Sequence, residues 1–460
     1  MQVMDSGEST TLKEVKRSRW FGRLSLPKHL ERFGQGWHRL TASIAAHPRL
    51  TEMFSGLVFL AIALFLVRPM FAAQFGAVDD HEIPVIGRQI TDHGILETIA
   101  LRIAEANGRF RPAYWIGRVL ETAVWGQFPT GWYFDRVVLL VATMAGTFAV
   151  ARLWVGPAAA LVGAILVVAG PQAEAFTRLG PQEGYAVPLL LGGLAFVGRG
   201  RFTVGFALLT TSAFTKEPFL IAPVLGAAWA WRLGDRRWPF VGAAIAIVAG
   251  TGALFAVLAN GGDYYGQVRN LRTVTRSGID LAMILLRLTV WPLVLMLPKP
   301  AWQIAGAIGL MLFGWQATVL GDIGIRGRYL FPLVIGAGLG SALAASKRPA
   351  LLLILVLIAG GSLLTARDAA RAYARRSVAF AAFVDQLRAD PRPLIISVEN
   401  PSDVELAWAI REYLADRPMV LLAEQPLPGF LPAVSADCLE LDVDGPPVGA
   451  CPEARPVPPP

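Results

Sequence analysis

Four short polar runs interrupt an otherwise apolar chain, and each carries groups that could handle a proton or a phosphate. They are Asp79-Asp80-His81-Glu82, Gln182-Glu183-Gly184-Tyr185, Thr215-Lys216-Glu217-Pro218 and Arg326-Gly327-Arg328-Tyr329. Carboxylates can deprotonate a hydroxyl or hold a divalent cation. Lys216, Arg326 and Arg328 can neutralise a phosphate or diphosphate leaving group, with arginine favoured for two-pronged contacts. Charge beside a hydrophobic span is costly. At a bilayer centre the penalty is roughly 2.5–3.5 kcal/mol, and it is smaller at the interface, so the clustering of Asp79, Asp80 and Glu82 needs a reason.

The elements that must position these groups are membrane spans. The chain has 460 residues, 54% hydrophobic and 17% charged, with mean hydropathy +0.49. That excludes an ordinary soluble protein and predicts a polytopic membrane protein. A span needs about 20 mostly apolar residues. The windows are 53–73, 136–155, 157–175, 184–198, 202–215, 218–232, 238–259, 280–298, 301–320, 328–345 and 349–365. The fold class expected is all-α and integral to the membrane, with about eleven spans.

Lys13, Lys16, Arg17, Arg19, Arg23, Lys28, Arg32, Arg39 and Arg49 precede the first span, which places the N-terminal segment 1–52 in the cytoplasm. Alternating the loops then puts Arg199, Arg201, Arg232, Arg236, Arg237, Lys299, Lys347 and Arg348 inside, and all four polar runs outside. The net charge of +8 reads as anchoring to anionic lipid and not as nucleic-acid binding. Trp20, Phe21, Leu24 and Leu26 among the basic residues suit a short interfacial helix, and a disordered basic tail fits equally.

Residues 74–135 form a long first outside loop. Two amphipathic helices are expected in it, around 95–104 and 114–126, resting on the outer membrane face, with solvated helices as the plainer reading. After an Arg-rich run at 366–390, a small α/β appendage is expected, with strands at 394–398 and 419–422 and a helix at 402–415. The outside tail spans 366–451 and the Pro-rich end, 452–460, reads as disordered. Cys438 and Cys451 share that tail, where a disulfide and two free thiols are equally compatible with the spacing. His47 and His93 have no partners at ligand spacing, so no zinc site is expected.

The Asp79-Asp80 pair after span one, Gly108-Arg109-Phe110-Arg111-Pro112 in the same loop, Thr215-Lys216-Glu217-Pro218, and Arg328-Tyr329-Leu330-Phe331-Pro332 opening a late span form an ordered set. Over about residues 53–365 this set resembles the GT-C superfamily of membrane glycosyltransferases, which includes the protein O-mannosyltransferases and the aminoarabinose transferases. The resemblance implies transfer of a sugar from a polyprenyl-phosphate donor to an acceptor hydroxyl of a protein, lipid or polysaccharide, with inversion. It implies an extracytoplasmic site on a bacterial inner membrane. Asp79 would be the catalytic base, with Asp80 beside it as base, hydrogen-bond partner or metal ligand. Lys216 and Arg328 would grip the lipid phosphate, and Arg111 would orient sugar or phosphate. Glu82, Glu183, Glu217, Arg326 and Tyr329 join the substrate-binding set. The resemblance fixes no cofactor, and a divalent cation on Asp79 and Asp80 stays open. The C-terminal region lacks a Trp-Trp-Asp-type acceptor signature, which speaks against an oligosaccharyltransferase.

Each group also has a plainer reading. Asp79 and Asp80 could cap the following helix. Lys216 and Glu217 could pair with each other. Arg326 and Arg328 could snorkel to headgroups. Glu183 reads more readily as a solvated loop acid. The rival class is a transporter or flippase for lipid-linked glycans, or a non-catalytic assembly subunit. Transporters gather polar groups at mid-membrane depth on broken helices, whereas here they sit at span ends.

Overall fold

The computed structural model describes residues 48–76, 80–104, 110–259, 328, 331–348, 350–389, 394–397, 404–414, 419–422 and 439–442. The N-terminal basic segment as far as His47, Asp79, Arg109, the windows 280–298 and 301–320, Arg326, Tyr329, both cysteines and the Pro-rich end lie outside the described residues.

The chain is a helical membrane protein. Helix α1 (Pro48–Val67) runs into a 3-10 turn, Arg68–Ala72. Then come α2 (Glu82–His93), α3 (Ile95–Ala104), α4 (Pro112–Trp125), α5 (Pro129–Ala151) and α6 (Pro157–Val168). A one-turn α7 (Glu174–Thr177) precedes α8 (Glu183–Gly198), α9 (Phe202–Ala213), α10 (Ala222–Arg232), α11 (Trp238–Ala259), α12 (Phe331–Lys347) and α13 (Ala350–Ala389). Among the described residues, three helices are long and apolar enough to cross a membrane, within Arg49–Ala72, Pro129–Ala151 and Ala350–Ala389. A fourth is reached if Pro157–Val168 and Pro171–Thr177, bent by 69°, make one span. The long helices keep apolar side chains on their outer faces: Met53, Phe54 and Leu57 on α1, and Leu353, Ile354 and Leu357 on α13, are all exposed. Contiguous faces of that kind are stable against lipid and not against water.

Of three neighbouring expected spans, the first keeps its length and the next two are shorter than their windows. The windows at 184–198, 202–215 and 218–232 become helices of 16, 12 and 11 residues, the last preceded by a 3-10 turn at Glu217–Ile221. Gly and Pro set these breaks. Gly200 adopts φ 74° between α8 and α9, which only glycine does at no cost. The break after α6 has its own solution. Gly170, at φ 127°, turns the chain. The Gln172 side-chain amide then donates to the carbonyls of Leu166, Val167 and Ala169 at 3.3, 3.1 and 2.7 Å. These are the carbonyls that a helix C-terminus leaves unmatched, and in an apolar layer they need a protein partner.

The segment between α1 and α5, expected as the first outside loop, holds three helices, one more than the periodicity suggested. The additional one is α2, whose Pro84 lies in the first turn, where proline is tolerated. The loop also ends earlier than expected, because Pro129 starts α5 and puts Arg136 inside that helix.

Packing is tight where small residues meet. A Cβ on Gly163 of α6 would lie 2.8 Å from both the Ala342 Cβ and the Gly338 carbonyl of α12. Such small-residue contacts let helix backbones approach closely. Gly163→Val should therefore destabilise the protein by about 1–3 kcal/mol, read as an earlier midpoint in detergent unfolding. An unchanged midpoint would mean that α6 and α12 are not in this contact.

Helix α13 continues without a break past residue 365, where a domain boundary was expected. Its 40 residues span about 60 Å, roughly twice a hydrocarbon core. Beyond it, β1 (Leu394–Ser397), α14 (Val404–Tyr413), β2 (Met419–Leu422) and β3 (Leu439–Asp442) form a unit with a parallel sheet in the order β2-β1-β3. Leu394 pairs with Met419 on one side and Leu439 on the other. Leu394, Ala407, Ile410 and Leu414 share a core with Val384 and Leu387 of α13. A unit this small gains its burial from the helix that carries it.

Candidate functional site

The α8–α9 hairpin brings two of the polar runs together. Glu183 opens α8 and Lys216 follows α9, so antiparallel packing sets them side by side, with the Arg199–Arg201 turn at the far end. The Lys216 Nζ donates to Glu183 Oε1. Both are buried, with Glu183 2% and Lys216 4% exposed. Glu183 is therefore not a solvated loop acid. Its place in the first turn of α8 also lets the helix dipole favour its negative charge.

Glu217 takes a different partner. Arg111 Nε donates to Glu217 Oε1 at 2.8 Å and Arg111 Nη2 to Oε2 at 2.7 Å. This two-pronged bond suits a planar guanidinium. The backbone supports it, since Ala113 N–H donates to the Phe214 carbonyl at 3.1 Å and the Phe110 and Phe214 rings meet edge to face. The Lys216–Glu217 pair of the plainer reading is thus replaced by two pairs whose partners are distant in sequence. Burial alone pushes the Glu217 carboxyl up, but the Arg111 charge and its bonds outweigh that and hold it below the usual carboxylate range. A carboxyl depressed on folding stabilises the fold above its unfolded value of about 4.3, and that contribution is lost as pH falls through the folded value. Glu217→Gln should remove this part of the acid-side fall in the unfolding midpoint. A mutant retaining the full wild-type acid dependence would contradict the pairing.

Arg111 precedes α4, and α4 carries the network inward. Tyr114 Oη donates to Glu82 Oε2 at 3.0 Å, and Arg118 Nε lies 3.7 Å from the same oxygen. Arg118 Nη1 and Arg136 Nη2 both donate to the Leu179 carbonyl, at 3.1 and 3.3 Å. Arg136 also donates to Tyr185 Oη and to Glu121 Oε2, and Tyr185 Oη donates to Glu121. The rings of Trp132 and Tyr185 lie against the Arg118 and Arg136 guanidiniums at 4.7 and 4.5 Å. Tyr185 is two residues from Glu183, so the path from Arg111 through α4, α5 and α8 returns to the Lys216–Glu217 junction. Burial opposes the Arg118 charge, yet the hydroxyls of Tyr114 and Tyr185 and the carboxylates of Glu82 and Glu121 hold its pKa above the usual value. Burial pushes the Glu121 carboxyl up, and Arg136 and Arg118 only partly offset this.

Asp80 is fully buried. Its Oδ2 accepts the Gly76 N–H at 2.7 Å and the Tyr373 hydroxyl of α13 at 3.3 Å. The carboxylate thus reaches back along the chain. The N-cap position of α2 is His81, with no side-chain cap bond. Arg328 is buried at 9% exposure, which is not the posture of a side chain snorkelling to headgroups. Among the described residues, no cluster of three His, Cys, Asp or Glu side chains could hold a metal ion.

Arg118, Glu121, Arg136 and Tyr373 build this region and were not singled out in the sequence. A signal was present in α4. Tyr114, Arg118 and Thr122 recur every four residues and are buried, whereas Ile116, Leu120 and Val124 form the exposed stripe. The period is that of an ordinary amphipathic helix with its faces exchanged, as expected for a helix whose outer surroundings are lipid.

No protein-family model matches the chain, and no curated protein matches it. Among solved structures, the chain is similar to ArnT from Cupriavidus metallidurans in the apo state and to ArnT from the same organism bound to undecaprenyl phosphate. Each is 12% identical with a TM-score of 0.49, covering 80% of this chain and 86% of that chain.

Proposed function

We propose that the protein is a membrane glycosyltransferase that moves a sugar from a polyprenyl-phosphate donor to an acceptor hydroxyl. The observation that carries this reading is the circuit of buried charge at one end of apolar helices. Lys216–Glu183, Arg111–Glu217 and the Arg118–Arg136 group would each be costly unless matched. Cations held rigidly beside apolar faces suit a lipid with a phosphate head.

In the proposed reaction the acceptor oxygen attacks the anomeric carbon and the carbon–oxygen bond to the phosphate breaks. Asp79 takes the acceptor proton, and the configuration inverts in a single displacement. Lys216 and Arg328 offset charge on the departing polyprenyl phosphate. Glu183 and Glu217 would fix where Lys216 and Arg111 point. Glu82, Arg326 and Tyr329 belong to the substrate-binding set, and a divalent cation on Asp79 and Asp80 is compatible with the chemistry. The acidic turn, Glu183 and Lys216 would face outward from a bacterial inner membrane. In support, Arg152, Arg199, Arg201, Arg232, Trp154 and Trp229 occur at the ends of α5, α8 and α10 remote from Glu183, as cytoplasmic anchors do.

One observation favours the flippase alternative, namely the 69° break after α6, since broken helices mark many transport sites. The Gln172 amide occupies the carbonyls freed there, which accounts for the break without a substrate. Reconstitution separates the two readings. With lipid-linked sugar in one leaflet of a vesicle, the enzyme reading expects free polyprenyl phosphate to accumulate with acceptor. Translocation of intact donor without cleavage would replace it with the flippase reading.

A further inference from the structure

Asp80 and the backbone at Gly76 are held from the C-terminal part of the chain. Tyr373 Oη donates to Asp80 Oδ2 at 3.3 Å, and Tyr413 Oη of α14 donates to the Gly76 carbonyl at 3.2 Å. Gly76 N–H in turn donates to the same Asp80 oxygen at 2.7 Å. One turn along α13 from Tyr373, Ser377 Oγ accepts the Gln74 N–H at 3.1 Å. The backbone before the acidic pair and the carboxylate within it are thus tied to α13 at two successive turns, and to the appendage at a third point.

The ties are themselves built in. The Arg178 guanidinium lies 5.0 Å from the centre of the Tyr373 ring, and the Phe380 ring meets the Tyr413 ring edge to face at 5.7 Å. Arg88 of α2 donates to the Glu412 carbonyl at 3.1 Å, so the appendage grips the chain on both sides of the acidic pair. A Cβ on Gly76 would collide with Tyr373 Oη and lie 3.3 Å from Asp80 Oδ2, so a side chain there has to push the phenol aside. Burial, and then the neighbouring Asp80 and Tyr373, push the Tyr413 hydroxyl well above its usual range, so it remains a donor at every physiological pH.

We infer that Tyr373 and Tyr413 are positioning residues for Asp80 and the Gly76 backbone, and that the C-terminal helix and appendage are a working part of the site. Asp80 is then the anchored member of the Asp79-Asp80 pair, its Oδ2 engaged by the Gly76 amide and the Tyr373 phenol. This inference deepens the glycosyltransferase reading and rests on it for its consequence in turnover. The hydrogen-bonded clamp itself does not depend on which reaction is run.

The experiment uses the full-length protein in nanodiscs, with Tyr373→Phe, Tyr413→Phe and, as a control on the exposed face of α13, Arg371→Ala. Amide hydrogen exchange over residues 74–83 is read beside donor turnover. Both Phe variants should speed exchange locally while the unfolding midpoint and the control stay near wild type. Tyr373→Phe should lower kcat about tenfold or more with little change in KM for the donor, the loss expected for one hydrogen bond to a charged group. Gly76→Ala should reproduce both effects by displacing the phenol. Unchanged exchange in both Phe variants would overturn the clamp. Faster exchange throughout the protein, with kcat per folded molecule retained, would reduce the two tyrosines to general stability and also overturn it. A wild type inactive with every donor would sink the glycosyltransferase reading alone, because the local exchange result would still decide the clamp.

Discussion

Glu183→Ala is expected to be among the most destabilising single changes in the protein. It would leave the Lys216 ammonium buried at 4% exposure without its carboxylate partner. Removing one member of a buried ion pair costs about 3–5 kcal/mol, a large share of the roughly 5–15 kcal/mol that holds a protein folded. The readout is the midpoint of detergent-titration unfolding, together with the yield of folded protein. Removing both charges has a different consequence. Replacing a buried pair by apolar side chains of similar size is often neutral or stabilising by about 1–4 kcal/mol. Glu183→Leu combined with Lys216→Met should therefore recover the midpoint lost in Glu183→Ala. In the proposed reaction the double variant should still fail to transfer sugar, since the leaving phosphate has lost its ammonium. A double variant that folds and turns over normally would remove the pair from the site. A Glu183→Ala protein as stable as wild type would contradict its burial.

This pair shows what the sequence made legible and what it hid. Glu183 and Lys216 stand out because charge is rare in so apolar a chain. Their mutual contact is not visible, because it depends on an antiparallel hairpin that brings together positions 33 residues apart. Hydropathy marked most helical segments and read those at 184–232 as short and punctuated by Gly and Pro; it overran only the helices in the windows 202–215 and 218–232, which end or start inside them. The four-residue spacing of Tyr114, Arg118 and Thr122 was readable, but the inward direction of that polar face was not. In water the apolar stripe would turn in, and beside lipid it turns out. The ties from Tyr373 to Asp80 and from Tyr413 to Gly76 span 293 and 337 residues of sequence, and neither tyrosine lies in a motif. Strand β3 escaped notice because Leu439-Glu440-Leu441-Asp442 alternates with carboxylates, whereas the equally short β2 is the continuous apolar run Met419-Val420-Leu421-Leu422.

The second large effect is expected at Asp79. Asp79→Asn keeps shape and removes the proton-accepting charge. If Asp79 is the base, turnover should fall by about 10²- to 10⁴-fold, the usual contribution of general acid–base catalysis. Asp80→Asn is expected to be milder, because the amide oxygen of asparagine can still accept from the Gly76 N–H and the Tyr373 hydroxyl. The contrast between two adjacent isosteric changes is more informative than either alone. Equal losses would make both carboxylates chemical participants, for instance as ligands of a shared cation. A larger loss at Asp80 would move the base to that residue and contradict its assignment as the anchored member.

The measurement that tests the central claim most directly is sugar release from a panel of radiolabelled polyprenyl-phosphate sugars by purified wild-type protein beside Asp79→Asn. The account predicts release from at least one donor by the wild type, with that activity lost in a folded Asp79→Asn protein. Release by Asp79→Asn at the wild-type rate would contradict the mechanism. Absence of release from every donor, with tight binding of polyprenyl phosphate that requires Lys216, would contradict the transferase and leave a lipid-phosphate carrier or assembly subunit in its place.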